Sequence, residues 1–542
     1  MCGIFSKLGN YDVQHITSYL NKIQHRGPDN TMTKCFENLF LGFHRLSING
    51  LEASSNQPLH YDGVWVICNG EIYNFQQLIY ENKFNYNTNS DCEIIIHMYI
   101  RYGIKETCKQ LDGVFAFVLY DSVRDVVYVA RDHLGIRPLY YGVNTNNYQE
   151  YVNSIEECNI STNNICFASE AKAITYMNFV EQFPPRCYWS SEDADFHQYY
   201  FFDSVVRDKL ENENIICRNI KNLLTEAVRK RFVMSDVEVG CLLSGGLDSS
   251  LVTAICSKLI DDPKNLKTFS IGLENSPDLE NAQMVADLIG TNHHNVVASE
   301  QEFLDAIEET IYCLGSYDIT TIRASVGHRL ISKYVNENTD VKVLFSGEVA
   351  DEMGSYLYLM NAPNSDAYQE ECFRLLNDIH LFDGLRSDRS ISYNGIESRV
   401  PFSDKAFVKY YMGIHPTLRM FNNNRIEKYL IRKAFSDENL LPESVLWRRK
   451  NGFSDSVSSK DRSWSVIINE YVDTLVSDEE FSQESIKFTY NTPKTKEAYY
   501  YRKIFNKYYK NHNVLTPYMW LPKWCGEVDD PSARVLEIYK AD

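Results

Sequence analysis

Several things are missing from this chain, and each absence closes off a class of function. No window approaches the roughly 18 uninterrupted apolar residues of a membrane-spanning helix, so no membrane partner is expected. The start lacks a basic segment followed by an apolar run, so no secretory leader is expected. The 14 cysteines are scattered singly with no C-x-x-C pair, and the adjacent His293 and His294 have no cysteine near them, which argues against a zinc site. Unpaired thiols without an export signal imply a reducing, cytoplasmic setting. Positive charge is also short: 54 Lys and Arg face 73 Asp and Glu, a net charge of −19, which excludes a nucleic-acid backbone as partner. What is present suffices for packed interiors, with 44% hydrophobic and 13% aromatic residues. At 542 residues the chain is too long for one core and is expected to divide.

The first 185 or so residues read as short strands and turns. "VWVICNGEIYNF" predicts a strand running into a tight Asn-Gly turn, and "GVFAFVLYD" with "DVVYVARD" predicts paired strands joined at Ser122 to Asp125. The two prolines of "FPPRCYW" and the acidic stretch after them place a domain boundary between residues 190 and 210. Beyond it the character changes. "NIKNLLTEAVRKRFV" has helical spacing, and strand–helix repeats follow in "VEVGCLLSGGLDSSLVTAICSKL", "LKTFSIGL" with "NAQMVADLIG", and "VKVLFSGE". Such alternation predicts a doubly wound parallel sheet whose ligands bind beyond the carboxyl ends of the strands. The glycine turns after Leu243 and Phe345 both fall there. The final 120 or so residues predict a helical extension.

Two stretches carry chemistry. "LLSGGLDSS" places Ser244, Gly245 and Gly246 between a strand and a helix beginning near Asp248 and Ser249. Glycines let the backbone approach a ligand, and N–H groups at a helix start attract anions. This is not the G-x-x-x-x-G-K-[ST] phosphate loop with its lysine. A short S-G-G-x-D-S turn suits the pyrophosphate released when ATP adenylates a carboxylate. The second stretch is the opening "MCGIFSKLGN". A cysteine at position two becomes the first residue once Met1 is trimmed, which puts a thiol and a free α-amine on one residue. An N-terminal cysteine with no role fits those ten residues as well.

SGGLDS is the pyrophosphate motif of the ATP pyrophosphatases, and "MCGIF" is similar to the glutaminase domain of amidotransferases with an N-terminal cysteine. Together with "QHRGPD", "HRLSI", "NGEIYN", "RDHLGIRPLYY", "ASEAKA", "YDITTIRAS", "ESRVPFSD", "RIEKYLIRKAF", "YNTPKTKEAYYYRKIF" and "DDPSAR", the chain resembles the glutamine-hydrolysing asparagine synthetases over most of its length. The resemblance implies a glutaminase domain over 2–190, an α/β/β/α sandwich of the N-terminal-nucleophile type, and a synthetase domain over 210–542. It implies Cys2 as the nucleophile on glutamine, with its α-amine as base. Asn69 and Gly70 would stabilise the oxyanion, Arg45 would hold the α-carboxylate, and Glu71 and Asp91 the α-ammonium, with Leu46, Ser47, Ile48 and Asn49 lining the site. In the second half, Leu242 and Ile271 would flank adenine and ribose, and Ser346 and Gly347 would lie near the nucleotide. Ser244, Gly245, Gly246 and Ser249 would form the pyrophosphate turn, Asp248, Asp351 and Lys450 would handle pyrophosphate and its magnesium, and Glu348 would support formation of β-aspartyl-AMP. Thr320, Thr321 and Arg323 would shape the aspartate and phosphate side. The partners implied are glutamine, aspartate and ATP, with a homodimer as one allowed assembly.

The resemblance frays in places. Where the family usually reads S-G-E-G-S-D-E, this chain has "SGEVADEMGSY", with Val349 and Ala350 for glycine and serine and one residue fewer after Glu352. Valine is stiff and poorly suited to positive φ, so the geometry of the ATP site is put in question. Gly315 stands where the family usually has glutamate, and Arg186 where it usually has glycine. Two rival readings follow: a related amidotransferase with another carboxylate acceptor, and a decayed homologue kept for binding.

Overall fold

The computed structural model describes residues 1–144, 164–202, 206, 208–422, 425–449, 457–459 and 462–531. Strands β1 (Gly3–Gly9), β2 (Asn30–Cys35), β3 (Leu39–Arg45), β8 (Tyr140–Val143), β9 (Asn164–Ala168) and β10 (Phe179–Gln182) form one sheet, ordered β10-β8-β9-β1-β3-β2. A second sheet holds β4 (Leu59–Tyr61), β5 (Val64–Ile72), β6 (Gly113–Asp121), β7 (Val126–Arg131), β11 (Cys187–Ser190) and β12 (Asp195–Gln198), ordered β12-β11-β7-β6-β5-β4. Ile4, Leu41 and Phe43 of the first meet Ile67, Val118 and Val129 of the second in a shared core. Helix Val13–Leu20 buries Ile16 and Leu20 in the cluster on the outer face of the first sheet, and helix Ile94–Gln110 covers the second. This is the expected α/β/β/α sandwich. Coverage on both faces explains why β6 reads as a continuous apolar run and not as an alternation.

One local expectation is corrected. Asn69-Gly70 is not a turn: both residues lie inside β5, opposite Ala116 and Phe115 of β6. Pairing with β6 over the whole length of β5 overrides the local turn preference. The polar turn at Ser122 to Asp125 is where the sequence put it, with Asp125 at φ 54°.

The second half is built on a five-stranded parallel sheet, β15-β14-β13-β16-β17, from β13 (Val239–Leu242), β14 (Lys267–Gly272), β15 (Asn292–Val297), β16 (Val343–Phe345) and β17 (Glu397–Arg399). Helices Glu213–Val233 and Leu247–Ser257 share one apolar cluster, and helix Ile319–Asn338 packs in another with Phe269 and Leu344. Adjacent β13 and β16 each release a turn at their carboxyl ends, which creates the crevice where parallel sheets bind ligands. Helices Trp464–Leu475 and Lys496–Tyr508 belong to the helical extension.

Candidate active site

Cys2 sits just before β1, whose residue Gly3 pairs with His44 of β3, so the cysteine lies beside the end of β3 where Arg45 emerges. The Cys2 backbone N–H donates to Asn69 Oδ1 at 3.0 Å, and its thiol faces the Leu46 carbonyl at 3.8 Å. Burial pushes the thiol up to about 11 against the pull of the adjacent amine, so it is protonated at neutral pH and needs a base. Because Asn69 Oδ1 accepts from Cys2, its Nδ2 faces the other way, and that buried N–H group has no hydrogen-bond partner. A buried donor without an acceptor is what a developing oxyanion requires. Gly70 follows on the same strand.

Arg45 is 5% exposed, and its guanidinium is satisfied by neutral oxygens: Glu52 O at 3.1 Å, Asn56 Oδ1 at 2.6 Å, Asn49 O at 3.3 Å and Gly50 O. No described carboxylate pairs with it, so its charge is open to a carboxylate ligand. The opposite sign is nearby. Glu71 accepts from Asn49 Nδ2 and is raised by burial and by Glu397, while Asp91 accepts from Ile72 N at 2.6 Å and is raised by burial to about 6. Ser47 N donates to Asp29, and the Ile48 carbonyl accepts from Asp236 N at 3.0 Å, which ties this loop to the second half.

Buried ion pairs join the halves. Arg26, fully buried, donates to the Cys2 carbonyl at 3.1 Å, to Glu170 and Asp388 at 2.8 Å each, and to Ser392 Oγ at 2.9 Å. The Met1 amine lies 3.4 Å from Glu397, which also pairs with Arg137 and Arg399. Burial opposes ionisation of Glu397, but those two guanidiniums hold it down to about 2.

Beyond β13, Ser244, Gly245 and Gly246 lead into helix Leu247–Ser257. Ser244 N donates to Ser249 Oγ at 3.2 Å. Gly245 has φ +70°, and a Cβ there would lie 2.4 Å from that of Asn281. Beyond β16, a Cβ on Gly347 would lie 2.5 Å from Ser249 N, so the two turns pack directly against each other. They border a cavity of about 240 Å³ lined by Leu242, Ser244, Gly246, Asp248, Ser249, Ile271, Ser346, Gly347, Glu348 and Asp351. Gly245 supports the turn without lining it; Lys450 lies outside the described residues.

Asp248 and Asp351 converge on one point, because Lys428 Nζ pairs with both. Two carboxylates that share a cation form a donor set suited to magnesium completed by phosphate oxygens, so these residues fit that ion. Glu348 is gripped by Arg386 Nη2 at 2.6 Å, with His328 Nε2 at 3.7 Å. Burial raises Glu348 and Arg386 opposes the rise; burial and Arg386 hold His328 near 3, so that ring is neutral. Asp278, raised by burial to about 7, lies 3.2 Å from Arg448 on the same wall.

Three of the departing residues sit at left-handed backbone: Val349 at φ 78°, Arg186 at φ 64° and Gly315 at φ 64°. Val349 is buried and lines a small interdomain gap with Ile136, Arg137 and Val400. A β-branched residue in that region costs about 1–2 kcal/mol, yet Glu348 beside it still faces the cavity. Ala350 is buried next to it. Thr320 lines the cavity, whereas Thr321 donates through its N–H and hydroxyl to Asp318, the N-cap of the helix, and Arg323 is locked by Glu497 and Asp530. Sequence reasoning missed Lys428, Arg386, Asp383, His328 and Arg448, all of which line this cavity. Lys428 stood in plain view within "RIEKYLIRKAF", and its left-handed backbone at φ 56° is the kind of signal only coordinates supply.

Known proteins resemble this chain over its whole length. Residues 1–225 match the family of the glutamine amidotransferase domain, and residues 219–364 and 359–525 match that of asparagine synthase. The chain is 40% identical over 581 residues to the asparagine synthetase (glutamine-hydrolyzing) of Gallus gallus, covering 100% of this chain and 99% of that protein. It is 40% identical over 584 residues to the proteins of that name from Cricetulus griseus and Homo sapiens, with the same coverage. With both domain families in order and end-to-end identity at this level, the chain belongs to the family of glutamine-hydrolysing asparagine synthetases.

Proposed function

We propose that this chain makes L-asparagine from L-aspartate and ATP with ammonia taken from L-glutamine, giving glutamate, AMP and diphosphate. The observation that carries the reading is the pairing of two sites in one chain: a thiol at position two beside an unpartnered buried Asn69 Nδ2, and an SGGLDS turn facing Glu348 across one cavity. Residues 2–190 supply the glutaminase and residues 210–542 the synthetase. Once Met1 is removed, the Cys2 nitrogen, already hydrogen-bonded to Asn69, becomes an amine that takes the thiol proton. The sulfur attacks the glutamine amide carbon. Asn69 Nδ2 and the Gly70 backbone meet the oxyanion, ammonia leaves, and water hydrolyses the thioester. Arg45 holds the glutamine α-carboxylate while Glu71 and Asp91 hold the α-ammonium.

In the second half, Leu242 and Ile271 flank the nucleoside, and the backbone of Ser244 and Gly246 with Ser249 faces the leaving pyrophosphate, on a turn that Gly245 supports. Asp248 and Asp351 would hold magnesium, which supplies charge neutralisation on the phosphates; Lys428 and Lys450 add fixed positive charge. Glu348 supports formation of β-aspartyl-AMP, whose acyl carbon ammonia then attacks with loss of AMP. Every described cysteine is a free thiol, which supports a cytoplasmic setting. The test is asparagine formation from aspartate and ATP, with glutamine or ammonium as nitrogen donor. Product with both donors is expected; pyrophosphate release driven by a different carboxylic acid in place of aspartate would overturn the reading.

A further inference from the structure

The reactive end of aspartate is its β-carboxylate, so something must recognise the other end, an ammonium and a carboxylate on one carbon. The phosphate end of the cavity is taken up by the Ser244–Gly246 turn, Asp248, Asp351 and Lys428. On from Gly347, which packs against Ser249, Glu348 turns toward a different wall made of Tyr356, Phe382, Asp383, Arg386 and Trp520. Asp383 and Arg386 stand one turn apart at the start of helix Asp383–Ser392 and are ion-paired with each other. We propose that Asp383 and Arg386 form a zwitterion clamp for the substrate amino acid, Arg386 taking the α-carboxylate and Asp383 the α-ammonium. The inference rests on the synthetase reading above and names the residues that choose its substrate.

The clamp has capacity to spare. Arg386 donates through Nη1 to Asp383 and through Nη2 to Glu348, while its buried Nε has no hydrogen-bond partner. A guanidinium carries five N–H donors, so a third carboxylate can join without Glu348 letting go. Asp383 Oδ2 accepts from the Tyr356 hydroxyl at 2.5 Å, and the same hydroxyl lies 3.1 Å from Glu352 Oε1. Each carboxylate oxygen can accept a second donor, so an ammonium can join as well. Phe382, next to Asp383 in the chain, and Trp520, packed on the Tyr356 ring, also line the cavity. Because Arg386 also holds Glu348, a substrate seated on the clamp is brought against that carboxylate and toward the adenylating end. The other half of the chain offers the same complementarity to an amino acid, with Arg45 unpaired and Glu71 and Asp91 close by.

The test uses two acids that each lack one group: succinate, without the α-ammonium, and β-alanine, without the α-carboxylate. Pyrophosphate release driven by aspartate, succinate and β-alanine is measured for wild type, Asp383→Asn and Arg386→Gln. Wild type is expected to prefer aspartate over each analogue by about 10²-fold or more, since a site built around a charged group is left with it unpaired when the group is missing. Asp383→Asn should lose at least about tenfold of the aspartate-to-succinate preference and keep the other; Arg386→Gln should do the reverse. Preferences that stay fixed in both variants, or fall together, overturn the clamp. Melting curves check folding, and if Arg386→Gln does not fold, Arg386→Lys must show the same loss in weaker form. A wild type that releases no pyrophosphate with aspartate overturns the synthetase reading itself, and the clamp with it.

Discussion

Near Cys2, Arg45 has no carboxylate partner among the described residues, whereas around the Ser244–Gly246 turn the cations are held by carboxylates. Among the described residues Arg45 donates to neutral oxygens and Asn69 Nδ2 has no hydrogen-bond partner, yet both are buried. In the second cavity Lys428 lies between Asp248 and Asp351, Arg386 between Glu348 and Asp383, and Arg448 against Asp278. The difference follows from what carries each site. Asn69, Gly70 and Glu71 are consecutive residues of β5, locked by β6, and Arg45 ends β3, so the ladders place these groups, with Arg399 3.5 Å from Glu71. The second cavity is assembled from turns and helix starts far apart in the chain, and mutual pairing keeps its carboxylates from repelling one another until substrates arrive. One site waits with unsatisfied groups, and the other must exchange internal partners for external ones.

The largest effect that could break this contrast is a reciprocal pair of substitutions. Cys2→Ala should reduce glutamine-dependent asparagine formation by more than about 10³-fold while ammonium-dependent formation continues. Glu348→Ala should suppress aspartate-dependent pyrophosphate release by about 10²–10⁴-fold and leave glutamine hydrolysis nearly intact. Equal loss of both half-reactions in either folded variant would mean that the sites do not divide the labour.

A smaller effect tests the seam between the halves. His133 Nε2 lies 2.9 Å from the Ser403 carbonyl across the interface, and burial holds its imidazole down to about 4. An unfolded chain takes up a proton there below about 6.5, one that the folded chain refuses until about 4. Stability is therefore full above that window and falls as pH drops through it, by on the order of 3 kcal/mol at most. Melting temperature against pH should fall more steeply in wild type than in His133→Gln; parallel curves would remove His133 from the account. The smallest effect concerns backbone alone. Gly315 caps helix Ile307–Leu314 at φ 64°, and the nearest atoms to a Cβ there belong to Tyr509, at 3.4 Å. Gly315→Ala should thus cost about 1 kcal/mol of stability in denaturant titration, with both activities retained.

Much of the architecture was legible because local pattern and tertiary context agree. The apolar opening became β1, "GVFAFVLYD" became β6, and SGGLDS landed between β13 and its helix as its glycines require. Asn69-Gly70 misled because a dipeptide that favours turns is held straight by nine residues of pairing with β6. Asp383, Arg386 and Lys428 were invisible for another reason: each is an ordinary charged residue in its own segment, and its meaning comes from a neighbour such as Asp248, some 180 positions away from Lys428. Val349 shows the reverse, since a residue that looked wrong for its loop does adopt the left-handed backbone that makes it wrong.

The position of Met1 sets an order of events in the making of the protein. The residue is 2% exposed and its amine faces Glu397 at the seam between the halves. A peptidase cannot reach a residue sealed behind a closed interface. On the proposed mechanism Met1 would have to leave the nascent chain before the synthetase half emerges and docks, which would make maturation of the nucleophile a race between processing and folding. A chain that folded first would keep its methionine and carry a thiol without its base.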